Sequence, residues 1–205
     1  MKMNTQINKK AKQGGFTLVE IAIVLVIIGL ILGGVLQGQT MIENAKYKKF
    51  VKEVDSYRTA YYTFQDMFQA LPGDLKKAKT LLDASAVNGS GNGLIDGSTC
   101  SVATEESCNV WAHFRYAELI SGDPTDSGTD AIPTHAYGAQ VHMFNTTAGN
   151  SIGKNKMYFT TVPGSVGQRY DNEYDDGDGN SGNISQSANS ATYSSTANVN
   201  LYIEL

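Results

Sequence analysis

The apolar residues of this chain are concentrated in one continuous run near the N-terminus. Between residues 16 and 36 every residue is apolar or glycine except Thr17 and Glu20. A helix that rises about 1.5 Å per residue would span roughly 30 Å over this run, which matches the hydrocarbon core of a bilayer. We therefore predict a membrane-spanning helix at residues 16–36. A polar leader at residues 1–15 precedes it and carries four lysines, Lys2, Lys9, Lys10 and Lys12.

The residues after this run keep a helical periodicity. Apolar and aromatic side chains recur at three- and four-residue spacing, and no proline occurs before Pro72. This pattern predicts an amphipathic second half of the same helix at residues 37–71, which Pro72 and Gly73 end. The periodic positions predict the core-facing side of the helix, and they are Ile42, Ala45, Phe50, Val54, Tyr57, Tyr61, Phe64 and Phe68.

Residues 72–205 form a predicted globular head of mixed structure. The patterns predict short helices at residues 74–83, with Asp74 as the N-cap, and at residues 110–120, with Gly122 after the end. Strand-like segments lie at residues 137–144, 156–162 and 198–205, and the last of these alternates cleanly between apolar and polar residues. We therefore predict an α+β fold with an antiparallel sheet of three or four strands.

Composition and charge exclude several classes of function. The formal net charge is −4, 18% of the residues are charged, and no basic stripe with interleaved aromatic residues occurs, so we expect no nucleic-acid partner. His113, His135 and His142 are scattered, and none has the spacing that would place it with a nucleophile. The chain also lacks a Gly-x-Ser-x-Gly motif and a phosphate-binding loop. We therefore expect a structural protein and no enzyme.

The two cysteines, Cys100 and Cys108, lie eight residues apart in a polar segment. In an exported domain, a disulfide is the expected state of such a pair. The alternative is two free thiols. A metal site is disfavoured because neither a histidine nor a third cysteine lies nearby in the sequence.

A second candidate site is acidic. Five carboxylates occur within residues 171–178, and they repel one another unless a cation lies among them. Oxygen ligands of this kind suit calcium, for which the candidate ligands are Asp175, Asp176, Asp178 and Asn180. However, the glycine of this loop does not fall at the place that a calcium-binding loop requires. A solvated acidic loop without a metal is therefore the favoured interpretation, and calcium is the alternative.

The residues at the start of the apolar run carry a family resemblance. Small residues, Gly14 and Gly15, stand before the run, whereas a secretory signal has its cleavage site after its apolar region. The string Gly-Phe-Thr-Leu-Val-Glu at residues 15–20 resembles the processing site of type IV prepilins and type II secretion pseudopilins. The resemblance implies that a prepilin peptidase cuts after Gly15 and methylates the new N-terminal Phe16. It also implies a long N-terminal helix packed on a small antiparallel sheet.

The resemblance further implies how the chain functions. It predicts a structural subunit of a pilus or pseudopilus that assembles with copies of itself, with homologous subunits and with an inner-membrane assembly platform. Lysines flank the apolar run on both sides, so the charge distribution predicts the orientation in the membrane only weakly. The cysteine pair and the resemblance together place the leader in the cytoplasm and the head outside the inner membrane.

Glu20 is a carboxylate inside an apolar run, where insertion costs about 2.5–3.5 kcal/mol near the centre of a helix and less near its end. One interpretation is a tolerated polar residue near the membrane interface. The resemblance implies another, in which Glu20 pairs with the terminal amine of Phe16 in a neighbouring subunit and sets the register of the fibre.

Two classes of function remain open. The first is a structural subunit, which includes a pilus fibre subunit, a type II secretion pseudopilin and a minor pilin. The second is a binding module, namely a tip adhesin or a membrane-anchored protein whose long loops form the recognition surface. The sequence does not separate these alternatives.

Overall fold

The computed structural model describes residues 15–100, 102–126, 128–147, 153–188 and 190–205. The predicted leader therefore lies outside the described residues except for Gly15. The helices are α1 (Leu18–Phe68), α2 (Ala78–Leu81), α3 (Glu106–Tyr116) and α4 (Gly164–Tyr174), with a short 3₁₀ turn at Gly128–Ala131. The strands are β1 (Val141–Thr146), β2 (Lys154–Pro163), β3 (Ile184–Gln186) and β4 (Asn198–Glu204). The α+β fold with a long N-terminal helix is confirmed.

Contacts divide the chain into two compact units, with the boundary between Asn44 and Ala45. In the first unit, every residue of α1 is exposed except Gly38, which is half-buried. The most apolar stretch of α1 has a mean hydropathy of 2.9 over 18 residues, and none of it is buried in the fold. By length and composition, α1 can therefore span a membrane. The predicted subdivision at residues 15, 36 and 71 follows chemistry rather than contacts, and it stays a prediction.

In the second unit, the sheet builds one half of the core. Its strands are all antiparallel in the order β1-β2-β4-β3. The register places Phe159 opposite both Val141 and Leu201, and Met157 opposite Ile203, so these apolar side chains share one face. All of them are fully buried.

The other half of the core comes from α1. Phe50 is fully buried and contacts Phe159 of the sheet edge to face, with ring centroids 5.2 Å apart. Further along α1, Tyr57 contacts Trp111 of α3 at 5.1 Å. The predicted core-facing stripe is confirmed from Phe50 onward, because its members there are buried or half-buried.

Helix α4 has no counterpart among the predicted elements. It follows β2 directly and packs against the buried face of α1, where Tyr170 lies 5.5 Å from Phe50 between ring centroids. The guanidinium of Arg169 lies 3.8 Å from the centre of the Tyr47 ring, which is a close cation–π contact. The short strand β3, which pairs with β4, was also not predicted.

The predicted helix at residues 110–120 has the wrong ends. The observed α3 begins at Glu106 and ends at Tyr116. Glu118 adopts a φ of 57°, and the N–H groups of Glu118 and Leu119 donate to the carbonyls of Arg115 and Phe114. This is a Schellman closure that usually has glycine at its left-handed position. Because glutamate takes that position here, the search for a glycine placed the end of the helix near Gly122, too far along the chain.

The predicted helix at residues 74–83 is also wrong for most of its length. Only Ala78–Leu81 is helical, and Asp74 does not cap it. The buried Asp74 carboxylate instead accepts hydrogen bonds from the backbone N–H groups of Gly91, Asn92 and Gly93, at 2.5, 3.0 and 2.8 Å. Asp74 therefore anchors the following loop and does not start a helix.

His113 links α3 to the end of α1. Its Nδ1 accepts a hydrogen bond from the Gly73 N–H at 2.9 Å, so the proton is on Nε2, which donates to the Val87 carbonyl at 2.8 Å. The ring is fully buried, and this burial lowers the pKa of His113 to about 4. The fold therefore requires a neutral imidazole.

We expect acid to weaken the fold through His113. The unfolded chain takes up this proton near pH 6.5, whereas the folded chain resists it to about pH 4. The stabilisation is therefore complete above pH 6.5 and is lost as the pH falls towards 4, by roughly 2 kcal/mol between pH 7 and pH 5. Urea unfolding of the full chain in detergent, followed by the fluorescence of Trp111, measures the sum of this change and those of His135 and His142, whose pKa values burial also lowers. An NMR titration separates the part due to His113, and an imidazole of His113 that titrates near pH 6.5 would contradict the prediction.

Candidate functional site

The helix α1 begins with a reciprocal pair of hydrogen-bonding residues, Thr17 and Glu20. The Glu20 carboxylate accepts from the Thr17 N–H at 2.7 Å and from the Thr17 hydroxyl at 2.9 Å. In return, the Thr17 hydroxyl oxygen accepts from the Glu20 N–H at 3.2 Å. This is a capping box, in which the residue before the helix and the third helical residue satisfy each other's backbone N–H groups.

The capping box explains how this chain carries a carboxylate in an apolar segment. In a bilayer, unsatisfied polar groups cost several kcal/mol each. The box gives one oxygen of the carboxylate two donors and satisfies two backbone N–H groups. The sequence reasoning assigned Glu20 to assembly but missed Thr17 as its partner. The spacing of threonine and glutamate three residues apart was the signal that identifies a capping box.

The surroundings of the capping box are apolar and uncovered. Phe16 and Leu18 are 85% and 91% exposed. Phe16, Glu20, Ile21, Ile23 and Val24 line an open apolar depression at this end of the helix. The predicted processing residues, Gly15 and Phe16, precede the helix in backbone without regular secondary structure, and both are exposed. The candidate cleavage site is therefore sterically accessible.

The second candidate site is the acidic loop at the C-terminal end of α4. Asp171 is fully buried and accepts hydrogen bonds from the Tyr193 hydroxyl at 2.8 Å and the Gly177 N–H at 3.2 Å. Burial raises the pKa of Asp171, and the nearby carboxylates of Asp175 and Asp176 raise it further. Asp171 was counted in the predicted acidic segment but was not named among the calcium ligands, because its polar neighbours did not indicate that it lies on a helix.

The geometry fits part of a calcium site. Asp171, Asp175 and Asp176 each bring one oxygen within 4.8 Å of the others, whereas Asp178 is not in this group of carboxylates. Asn180 stays a predicted ligand. Calcium takes six to eight oxygens, so backbone carbonyls or water would have to supply the rest. All three carboxylates also hold the loop together, since Asp171 accepts from the Gly177 N–H, Asp175 from the Ile184 N–H and Asp176 from the Asp178 N–H.

The third candidate feature, the disulfide between Cys100 and Cys108, is confirmed. The two Cα atoms lie 4.9 Å apart, and Cys108 belongs to α3. The same region holds Glu106, whose carboxylate accepts from the N–H groups of Ser90 and Asp96 at 2.6 and 2.9 Å. The disulfide therefore fixes the segment whose carboxylate anchors the loop at residues 90–96.

Calcium binding is the untested alternative for this loop. It predicts that calcium stabilises the folded chain. An ion that binds the folded loop alone raises the free energy of unfolding, by about 2.7 kcal/mol at a concentration one hundred times the dissociation constant. Under the calcium alternative, millimolar calcium, compared with a chelator, raises the thermal midpoint of the full chain, whereas the favoured metal-free loop leaves it unchanged. Asp176→Asn should remove this rise, whereas Asp130→Asn, remote in sequence, should keep it. An unchanged midpoint in the native chain would contradict the prediction.

Comparisons with known proteins bear on the N-terminal end of the chain. The family model described as the prokaryotic N-terminal methylation motif matches residues 10–36. No curated protein and no solved structure matches the chain. The matched residues contain Gly15, Phe16 and the capping box of Thr17 and Glu20. The chain therefore carries, at residues 10–36, the N-terminal methylation motif that is the signature of type IV pilins and pseudopilins.

Proposed function

We propose that this chain is a structural subunit of a type IV pilus or of a type II secretion pseudopilus, cleaved after Gly15 and assembled through α1. One observation carries the proposal. The residues of α1 inside the methylation motif, residues 18–36, are apolar or glycine except Glu20, and none of them is buried in the fold. A helix of this kind needs a bilayer or other copies around it.

Different interactions favour the two environments of α1, first the bilayer and then the bundle of copies. Burial of a valine, leucine or isoleucine side chain is worth about 1.5–3 kcal/mol relative to water, so α1 does not stay exposed in solution. Transfer from lipid to a bundle of copies gains little from the hydrophobic effect, because lipid is equally apolar. Close packing and polar contacts must therefore drive assembly.

The chain has residues for close packing. Gly29 and Gly33 are four residues apart, as are Gly34 and Gly38, and this spacing lets helix backbones approach each other in membranes. The space beside each of these glycines is free of atoms of the chain's own fold. A neighbouring helix can therefore occupy that space.

Glu20 supplies the polar contact. After cleavage, the terminal amine of Phe16 carries a positive charge, and a charged hydrogen bond to it is about twice as strong as a neutral one. We infer that Glu20 exchanges its Thr17 hydroxyl for the Phe16 amine of a neighbour during assembly. A buried pair of this kind selects one register among many apolar alternatives.

The proposed partners follow from the same motif. They are a prepilin peptidase, copies of this chain, homologous subunits and an inner-membrane assembly platform. The head lies outside the inner membrane in this proposal, which agrees with its disulfide, since such bonds persist in oxidising compartments. The role is structural and involves no catalysis by this chain.

Variants of Glu20 test the proposal in the native cells. Glu20→Ala removes the carboxylate and should greatly lower the amount of the chain in the sheared surface fraction, while the amount in the membrane stays unchanged. Glu20→Asp keeps the charge on a shorter side chain and should lose less. Immunoblots of both fractions measure these amounts. A pseudopilus is short, so for a pseudopilin the loss appears in secretion rather than in sheared fibres.

The outcomes separate the alternatives. Equal assembly of Glu20→Ala and the native chain would contradict the role of Glu20. Low copy number with lost adhesion on deletion would instead favour a minor pilin or tip adhesin.

A further inference from the structure

Four lysines form a basic surface on α1 just inside the second unit, which we call the lysine collar: Lys46, Lys48, Lys49 and Lys52. All four are exposed. Lys49 forms an ion pair with Glu53 at 3.5 Å, and among the described residues the other three lysines have no ion-pair partner. Tyr47, Phe50 and Val54 are buried on the side of the helix opposite Lys48, Lys49 and Lys52. These three lysines of the collar therefore point away from the core.

The rest of the second unit has the opposite charge. Residues 53–205 contain eight lysines and arginines and eighteen aspartates and glutamates, which gives a formal charge of −10. The densest acidic segment is residues 173–178, the last two residues of α4 and the loop that follows, which we call the acidic loop. Its Glu173 and Asp178 lie outside the group of three carboxylates that could hold a cation.

The collar and the acidic loop lie at the same level of α1 but on opposite sides. Tyr47 donates a hydrogen bond from its hydroxyl to the Glu173 carboxylate, and Arg169 covers the ring of Tyr47. The acidic loop therefore starts beside the buried face of the turn that carries Lys46 and Lys48. Because the helix lies between them, Lys48 and Lys52 do not reach the acidic loop of their own copy.

Two complementary surfaces on opposite sides of one subunit form a heterologous interface. Such an interface joins each copy to the next and generates a helical filament when the rotation does not close. We propose that the lysine collar of one copy binds the acidic loop of the next copy in the fibre, with Lys48 and Lys52 facing Glu173 and Asp178. This inference rests on the proposed function.

Anionic lipid is the competing partner for the collar, and distance disfavours it. Ten residues of helix separate the end of the apolar run at Leu36 from Lys46, which corresponds to about 15 Å. The headgroup layer extends only roughly 5–8 Å beyond the hydrocarbon core. Lys52 lies a further turn and a half away, and screening at physiological salt acts within about 8 Å.

Carbodiimide cross-linking of native fibres tests the contact directly, because this reagent joins a lysine to a carboxylate only where the two touch. We expect linked peptides between Lys48 or Lys52 and residues 173–178. Fibres from a mixture of isotopically light and heavy subunits should give mixed-mass pairs, since the contact lies between copies. Lys76, Lys77 and Lys79 are equally exposed and serve as internal controls that should not link to this loop.

Charge reversal gives the matched functional test. Lys48→Glu with Lys52→Glu should lower the yield of assembled fibre several-fold, whereas Lys76→Glu with Lys77→Glu, which changes the net charge equally, should not. Adding Glu173→Lys and Asp178→Lys to the first variant should restore assembly. Trp111 fluorescence during urea unfolding confirms that each variant folds.

Three results would overturn the inference. The first is native fibres in which neither Lys48 nor Lys52 is cross-linked to residues 173–178. The second is equal fibre yields from the two charge-reversed variants. Both results leave the proposed function standing. The third is a reversed variant that assembles normally while assembly of the native chain alone depends on anionic lipid in the membrane, which would assign the collar to anionic lipid. A native chain that forms no fibre or pseudopilus overturns the proposed function together with this inference.

Discussion

The apolar surface of α1 between residues 18 and 36 is the constraint on which the rest of this molecule depends. The helix satisfies its own backbone hydrogen bonds, so it can enter a bilayer, but its side chains are buried by nothing in the fold. The capping box of Thr17 and Glu20 also provides hydrogen-bond donors within the helix for the one carboxylate in the segment. In a membrane-bound subunit, Glu20 is therefore hydrogen-bonded to Thr17. It can exchange these bonds for a stronger partner during assembly.

The same helix serves a second purpose from residue 47 onward, where it forms part of a core. Phe50, fully buried, contacts the sheet through Phe159 and α4 through Tyr170. The long loops around this core are held by buried polar groups, of which the Asp74 carboxylate and the imidazole of His113 are the clearest. The head thus combines an apolar centre with loops that specific hydrogen bonds fix, and the disulfide secures one of these loops.

The elements with strong periodicity could be predicted, and those without it could not. The length of α1 and the position of β4 follow from apolar spacing, and Cys100 and Cys108 pair as expected. Helix α4 escaped prediction because Val166 and Tyr170 are its only large apolar residues before its last position, so its pattern is weak. Asp74 was assigned to a helix cap because its partners, sixteen to nineteen residues away, cannot be found from local spacing. Asp171 was not named among the candidate ligands for the same reason, since its position depends on α4.

The central claim is that the chain is processed after Gly15 and keeps α1 in its mature form. The most direct measurement is mass spectrometry of the N-terminal peptide of the protein purified from native cells that contain a prepilin peptidase. The account predicts a peptide that begins at Phe16 and carries one added methyl group. A protein that retains Met1 and the lysines of the leader would contradict the account and would leave an ordinary membrane-anchored domain.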